Sequence, residues 1–301
     1  SEEEINKVSN LVFVDHPEIF WLEQQNYSFN QKENSDVDLL ELNLVYNMGK
    51  DEIEDTKQQI EAKAEEWSQE LSNCENEYDK IKYVYEFLGK NVLYDSESEN
   101  NQNIQSVFLN QSTVCMGFAK ATQYLLVRNG IFCTLVTGKV MPENMEHAWN
   151  LVRVDGDYYY VDTTWGDASY RMEDGSGQEE LPEINYDYLC VTTEDILRTH
   201  RIEGVVAMPE CTAMEANYYV REGNYFTEYN REQLQRIFDA AREMGRTDIT
   251  LKCADETCYR EICRVLIDEQ EIFSYIPDSN STISYAQNGK QLSLTFWVTN
   301  E

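Results

Sequence analysis

The dipeptide Asp155-Gly156 lies between two strand-like runs, HAWNLVRV (147–154) and DYYYVDTTW (157–165). A two-residue turn of this kind is a strong hairpin signal, because both turn positions need positive φ and glycine accepts it freely. It fixes an antiparallel register in which Val154 faces Asp157, Trp149 faces Asp162 and His147 faces Thr164. His147 and Asp162 then share one sheet face as diagonal neighbours, within reach of a side-chain hydrogen bond. One more turn residue would send Asp162 to the opposite face, so the dipeptide decides whether imidazole and carboxylate meet.

Histidine is scarce: His16, His147 and His200 are all there are. A carboxylate on one nitrogen of His147 would fix its tautomer and leave the other nitrogen to a nucleophile. Cys115 is the candidate. Residues 112–129 have helical spacing, with Ser112 or Thr113 as N-cap, Phe118, Ala119, Thr122, Leu125 and Leu126 facing inward, and Gly130 as the stop. A thiol in the first turn meets the positive end of the helix dipole, which favours thiolate, and its backbone N–H can help hold an oxyanion. A lone cysteine at a helix start is more often a packing residue. Cys, His and Asp in that order, the last two joined by a hairpin, form a far less accidental set.

The strings TVCMGFAKATQYLLVRNGI (113–131) and HAWNLVRVDGDYYYVDTTWGD (147–167) resemble the core of the transglutaminase-like superfamily, which includes papain-fold transglutaminases, peptide N-glycanases and many bacterial proteins of unassigned activity. The resemblance covers residues 78–170 and implies a triad of Cys115, His147 and Asp162, with the cysteine helix packed against an antiparallel sheet that bears the other two. DHPEIFW near the start and YDYLCVTTEDILRTH after the core give a layout similar to uncharacterised bacterial secreted or cell-surface members, which implies export. Gln105 is similar to glutamines found upstream of the nucleophile there and could donate to an oxyanion; a surface amide is the plainer reading. Trp149 and Trp165 flank the triad and could line an acyl-binding groove, although each reads first as core. His200, beside Arg198 and Arg201, reads as a helix C-terminal cap, and as the fallback base should the hairpin register fail; His16, before Pro17, reads as a structural residue at a helix start.

Around the core the pattern predicts an α+β fold in three parts: a largely helical flank at 1–75, the transglutaminase-like core at 76–200 and a small α+β module at 201–301. Helices are expected at 50–72, with Ile53, Ile60, Ala64, Trp67 and Leu71 in one stripe, and at 76–90, with Ile81, Val84, Tyr85 and Leu88 in another. Residues 171–185 read as a loop. The last part should hold a hairpin at 217–229 around Glu222-Gly223, helices at 231–244 and 256–268, a strand at 248–253 and a hairpin at 282–298 around Asn288-Gly289. LVFVDHPEIFWL at 11–22 also aligns without gaps on RVLIDEQEIFSY at 264–275, which raises a duplicated flanking module.

Composition narrows the function. A formal charge of −32, more than half of it accrued before residue 101, excludes nucleic acid or an anionic membrane as primary partner, since phosphate binding needs clustered cations. No apolar run reaches the roughly 18–20 residues of a transmembrane segment, and the start Ser1-Glu2-Glu3-Glu4 suits a mature domain after a trimmed export signal. The eight cysteines lack the paired spacing of a zinc site, and setting Cys115 aside leaves an odd number, which argues for free thiols and a cytoplasmic alternative to export. Asp174-Gly175 lacks the ligand spacing of a calcium loop, so no metal or cofactor is expected. The expectation is a thiol-dependent acyl-transfer enzyme, a cysteine peptidase or amidase acting on neutral or basic peptides and proteins, cell-wall-associated ones among the candidates. The alternatives are a transglutaminase that cross-links proteins, a non-catalytic cell-surface binding module that retains the fold, and, third, a peptide N-glycanase-like amidase.

Overall fold

The Asp155-Gly156 turn forms as its sequence dictates: φ is 52° and 99° at the two residues, and Val154 pairs with Asp157. The computed structural model describes residues 2–31, 38–167, 183–204, 206–276 and 281–300. Most of the 171–185 loop and Asp174-Gly175 lie outside the described residues.

The chain opens with α1 (Glu2–Asp15), which ends just before His16, so that histidine follows a helix where a helix start was expected. An antiparallel hairpin of β1 (Leu22–Gln31) and β2 (Asp38–Tyr46) comes next. Then come α2 (Lys50–Ser68), continued by a 3-10 turn at Gln69–Asn73, and α3 (Glu77–Asn91), whose N-cap Asn76 accepts from the Asp79 N–H. The predicted stripes are the buried ones: Ile60, Ala64, Trp67 and Leu71, and Ile81, Val84, Tyr85 and Leu88, with Ile53 half-buried. The short strands β3 (Leu93–Tyr94) and β4 (Ser112–Thr113) pair in parallel and lead into α4 (Cys115–Arg128), which stops at Asn129 and Gly130 with positive φ at the glycine.

The central sheet holds β5 (Cys133–Val140), β6 (Met145–Val154), β7 (Asp157–Val161) and, after the turns α5 (Thr163–Gly166) and α6 (Thr193–Leu197), β8 (His200–Ile202); its order is β7-β6-β5-β8 and every pairing is antiparallel. Both faces are covered. Cys133, Val152, Val154, Tyr159 and Val161 join the core built with α2, α3 and α4, whereas Val136, Trp149, Leu151 and Tyr160 pack with Tyr188, Val191 and Ile196. Asn150 locks α4 to the sheet by donating to the Ala119 carbonyl at 2.9 Å.

In the last part Gly223 ends a short helix, α7 (Tyr218–Glu222), and does not turn a hairpin: its φ of 77° suits a helix C-terminus, and Asn217 caps the other end. The rest follows the pattern, with β9 (Tyr225–Phe226), α8 (Arg231–Glu243), β10 (Asp248–Cys253), α9 (Glu256–Cys263), β11 (Ser281–Asn288) and β12 (Ser293–Asn300) forming a four-stranded sheet in the order β11-β12-β10-β9. Leu234, Ile237, Phe238 and Ala241, at helical spacing on α8, cover its apolar face. Both copies of the internal similarity end a helical segment and precede an antiparallel hairpin, yet Phe20 is buried where its counterpart Phe273 is exposed. No helix among the described residues is long and apolar enough to cross a membrane. The architecture is α+β, a cysteine-bearing helix packed on an antiparallel sheet with flanking segments on both sides.

Candidate active site

Cys115 is the first residue of α4 and half-exposed; the N-cap is Val114, not Ser112 or Thr113. Neither hydroxyl is free to cap. Thr113 donates to the Asn101 carbonyl at 3.0 Å and meets the Ser106 hydroxyl at 2.7 Å, while Ser112 donates to Asp95 at 3.2 Å. This clasp fixes the chain entering the helix. Gly117 is part of it, since a Cβ there would lie 1.9 Å from the Thr113 hydroxyl. Gln105 sits at the edge of the same clasp, half-buried, with a buried amide oxygen that finds no hydrogen-bond partner; it makes no hydrogen bond to Cys115 or His147.

The hairpin register holds through Asn150 paired with Val161, and then the strand stops. Asp162 caps α5 by accepting from the Trp165 backbone N–H at 3.2 Å, so the chain turns away and His147 does not face Thr164 as the extended register predicted. A capping carboxylate overrides the β-branched run that follows it. The diagonal contact survives: His147 Nε2–H donates to Asp162 Oδ2 at 2.8 Å, the carboxylate being able only to accept. Thr163 and Thr122 share a hydroxyl contact of 2.9 Å, which ties this turn to α4.

Burial opposes charge on His147. The attraction and hydrogen bond of Asp162, joined by a side-chain hydrogen bond with Cys115, outweigh it and push the imidazole up to about 10. Asp162 is likewise penalised by burial, yet the two histidines that donate to it hold its carboxyl well below the usual carboxylate range. An imidazolium and a carboxylate thus lie beneath a thiol in a water-poor site. Cys115 and Cys74 are the two half-buried cysteines; the other six are buried, and all eight are free.

Sequence reasoning missed one member of the cluster. His200 opens β8 and keeps a contact with the Ile196 backbone of α6, but its Nε2–H donates to the same Asp162 oxygen at 3.0 Å, with both side chains fully buried. A close approach brings it there, because Gly138 lets β8 lie against β5 where a Cβ would meet the Arg201 carbonyl at 2.0 Å. The available signal was the histidine itself, one of three in the chain, in a short segment that follows a capped turn. Trp149 is fully buried, which removes it from any groove wall; its ring lies edge-on to His200 at 4.9 Å and stacks near His147 at 5.9 Å. Trp165 is half-buried and packs at 4.9 Å from His200 and 6.0 Å from His147. Among the described residues, His147, Asp162 and His200 are the group whose ligand atoms lie near enough, within 4.8 Å, to share a metal ion. Both imidazole N–H groups already point at the carboxylate, so an ion would have to displace two protons from a closed pocket.

Residues 65–163 match the transglutaminase-like superfamily. Among curated proteins, the kyphoscoliosis peptidase of Mus musculus is 23% identical over 111 residues, in an alignment that covers 32% of this chain and 17% of that protein; the Homo sapiens protein of the same name is 22% identical over 111 residues, with the same 32% and 17% coverage. The match therefore spans about a sixth of the length of those relatives. A solved TGase crystal structure aligns over 52% of this chain and 46% of its own, with 16% identity and a TM-score of 0.35.

Proposed function

From a chain whose residues 65–163 belong to the transglutaminase-like superfamily, we propose a thiol-dependent acyl-transfer enzyme, a cysteine peptidase or amidase in which Cys115 is the nucleophile, His147 the acid and base, and Asp162 the residue that orients and charges the imidazole. The observation that carries it is the 2.8 Å His147–Asp162 hydrogen bond beside Cys115, which raises the His147 pKa together with Asp162 and stands on the first residue of a helix. In the proposed reaction the Cys115 sulfur bonds to an amide carbonyl carbon, the carbonyl oxygen takes the negative charge beside the helix N-terminal N–H groups, and His147 gives its Nδ1 proton to the departing amine. Water then adds to the acyl-enzyme, His147 takes a proton from it, and the carboxylic acid leaves as the thiol is restored.

Hydrolysis is preferred to transamidation because nothing in the sequence marks an amine-acceptor site. The half-exposed Cys115 supports an enzyme over a binding module, since a capped sulfur would suit the latter. The substrates proposed are neutral or basic peptide segments, given the net charge of −32. The test is mass spectrometry of a mixed peptide library after incubation with the protein, read separately for cleavage, glutamine deamidation and isopeptide cross-links. Cleavage that vanishes in Cys115→Ala is the expected result; cross-links without cleavage would replace the peptidase by a transglutaminase, and no product of any kind would remove the enzyme.

A further inference from the structure

Asp162 is reached from two sides, and the side away from Cys115 leads out of the core. His200 Nδ1 lies 2.8 Å from the Thr199 hydroxyl. That hydroxyl also receives the Gln291 amide nitrogen at 3.3 Å, and the same nitrogen reaches the Tyr188 hydroxyl at 3.2 Å. Gln291 lies between β11 and β12 and is fully buried. Its amide could in principle face either way, but Lys252 Nζ lies 3.3 Å from its oxygen, and an ammonium only donates. Lys252 is itself held in place: it is buried on β10, 3.9 Å from Asp187, which accepts from Tyr219 at 3.1 Å, Asn288 at 3.1 Å and Ser293 at 2.8 Å.

Lys252 fixes the amide oxygen, so the amide nitrogen must face Thr199, Tyr188 and the Asp195 carbonyl, the last at 3.4 Å. With Thr199 accepting from it, two partners remain for the single Thr199 proton, and His200 Nδ1 at 2.8 Å is nearer than the Tyr188 hydroxyl at 3.3 Å. With that lone pair occupied, His200 is neutral and carries its proton on Nε2, where it donates to Asp162. Burial, the largest influence on His200, lowers its pKa and favours the neutral ring against the raising pull of Asp162 and of the Ile196 backbone. The charged or titratable groups facing the ring are Asp162, His147 and Tyr188.

We propose that His200 is a positioning residue of the active site, and that its tautomer is set by the C-terminal module through Gln291 and Thr199. The neutral His200 N–H fixes the Asp162 oxygen without competing for positive charge, which leaves the imidazolium to His147. The C-terminal module thus completes the site by polarity and contributes no group to the reaction. This rests on the reading of Cys115, His147 and Asp162 as the catalytic set, and its test needs no substrate.

The experiment is nitrogen-detected NMR of the three histidines in the full chain, paired with the pH profile of Cys115 alkylation followed on its own peptide. The wild type should show His200 neutral and protonated on Nε2. In Gln291→Glu a carboxylate replaces the amide nitrogen and accepts the Thr199 proton, so His200 must carry a proton on Nδ1. The expected results are that His200, which keeps its Nε2 proton on Asp162, becomes an imidazolium protonated on both nitrogens, and that a high-pH limb of the alkylation profile is lowered by about one pH unit, because a charged His200 beside His147 repels its proton. Thr199→Val, which removes the hydroxyl and keeps the shape, should lose the single tautomer and serves if Gln291→Glu does not fold. Thr250→Val, which breaks a 2.9 Å hydroxyl contact to Thr295 in the same sheet, should move neither readout. An unchanged His200 protonation pattern in either folded variant overturns the proposal, as does an equal change in Thr250→Val. Loss or retention of turnover in Cys115→Ala decides the reaction separately.

Discussion

The two four-stranded sheets of this protein bury polar groups in different ways. The central sheet buries apolar clusters on both faces, and the polar groups of its candidate site lie where strands end or begin: His147 near the start of β6, Asp162 just past β7, His200 at the first residue of β8. The second sheet alternates. Ile249, Leu251, Leu294 and Phe296 face the helices, while Thr250, Lys252, Ser293 and Thr295 face the other way, and Lys252 and Ser293 are buried against Asp187. Asp162, just past the ladder, can turn its carboxylate toward two histidines that are still paired near the ends of their strands, whereas a strand interior can only present a face. The first arrangement suits chemistry, the second a fixed seam.

The largest effect should come from cutting the first arrangement at its centre. Asp162→Asn keeps the shape but replaces a carboxylate that accepts three N–H groups. Turnover should fall by about 10⁴-fold, the size seen when a triad carboxylate becomes an amide. The His147 resonance should titrate near or below its ordinary value, because burial then acts without the opposing charge. A variant that keeps its imidazolium at neutral pH would show that the charge on His147 comes from elsewhere.

Cutting the seam should instead cost stability. Lys252→Met leaves Asp187 without its ammonium, and removing one partner of a buried pair costs about 3–5 kcal/mol. Urea unfolding should show that loss, and Asp187→Asn in the same chain should recover much of it. A loss below about 1 kcal/mol would mean that Tyr219, Asn288 and Ser293 satisfy Asp187 by themselves.

The contrast also bears on what the sequence makes legible. The hairpin register was readable because a period-two pattern and one glycine turn determine it, and the helix stripes were readable because apolar spacing reports burial directly. The termination of β7 was not, since a string of tyrosine, valine and threonine favours a strand and only the capping geometry of Asp162 ends it. Gly223 could be read as a turn or as a helix stop, and which one it is depends on Asn217 capping the helix before it. His200 was the main omission: its partner lies 38 residues away in sequence, and the link depends on β8 joining β5 at Gly138. Trp149 was read first as core, and it is core.

A smaller effect follows from the charges in the central site. The folded chain holds the His147 proton more tightly than the unfolded chain does, so this stabilising contribution is complete below about 6.5 and is lost as pH rises toward about 10. Asp162 acts in the opposite sense: its lowered pKa contributes above 3.8 and is lost as pH falls below that value. His200 is lowered from 6.5, so its neutral form adds stability above that value that is lost on acidification. Unfolding free energy followed from pH ~6.5 to pH ~10 should decline in the wild type more steeply than in Asp162→Asn. Equal slopes would separate the alkaline loss from this pair.

The smallest effect should lie on the surface and belong to neither sheet. The net charge of −32 accrues chiefly ahead of Cys115, His147 and Asp162, so it should act on the approach of a substrate and not on the proposed reaction. For a basic peptide, kcat/KM at low salt should exceed that of its acidic counterpart by about 10-fold, the lower end of electrostatic steering, and the ratio should shrink toward one as salt shortens the Debye length to about 3 Å near 1 M. kcat itself should not change with salt, because His147 and Asp162 are buried and poorly screened. A salt-dependent kcat would place the acidic surface inside the site, and a ratio of one at every salt concentration would leave the charge as a solubilising coat.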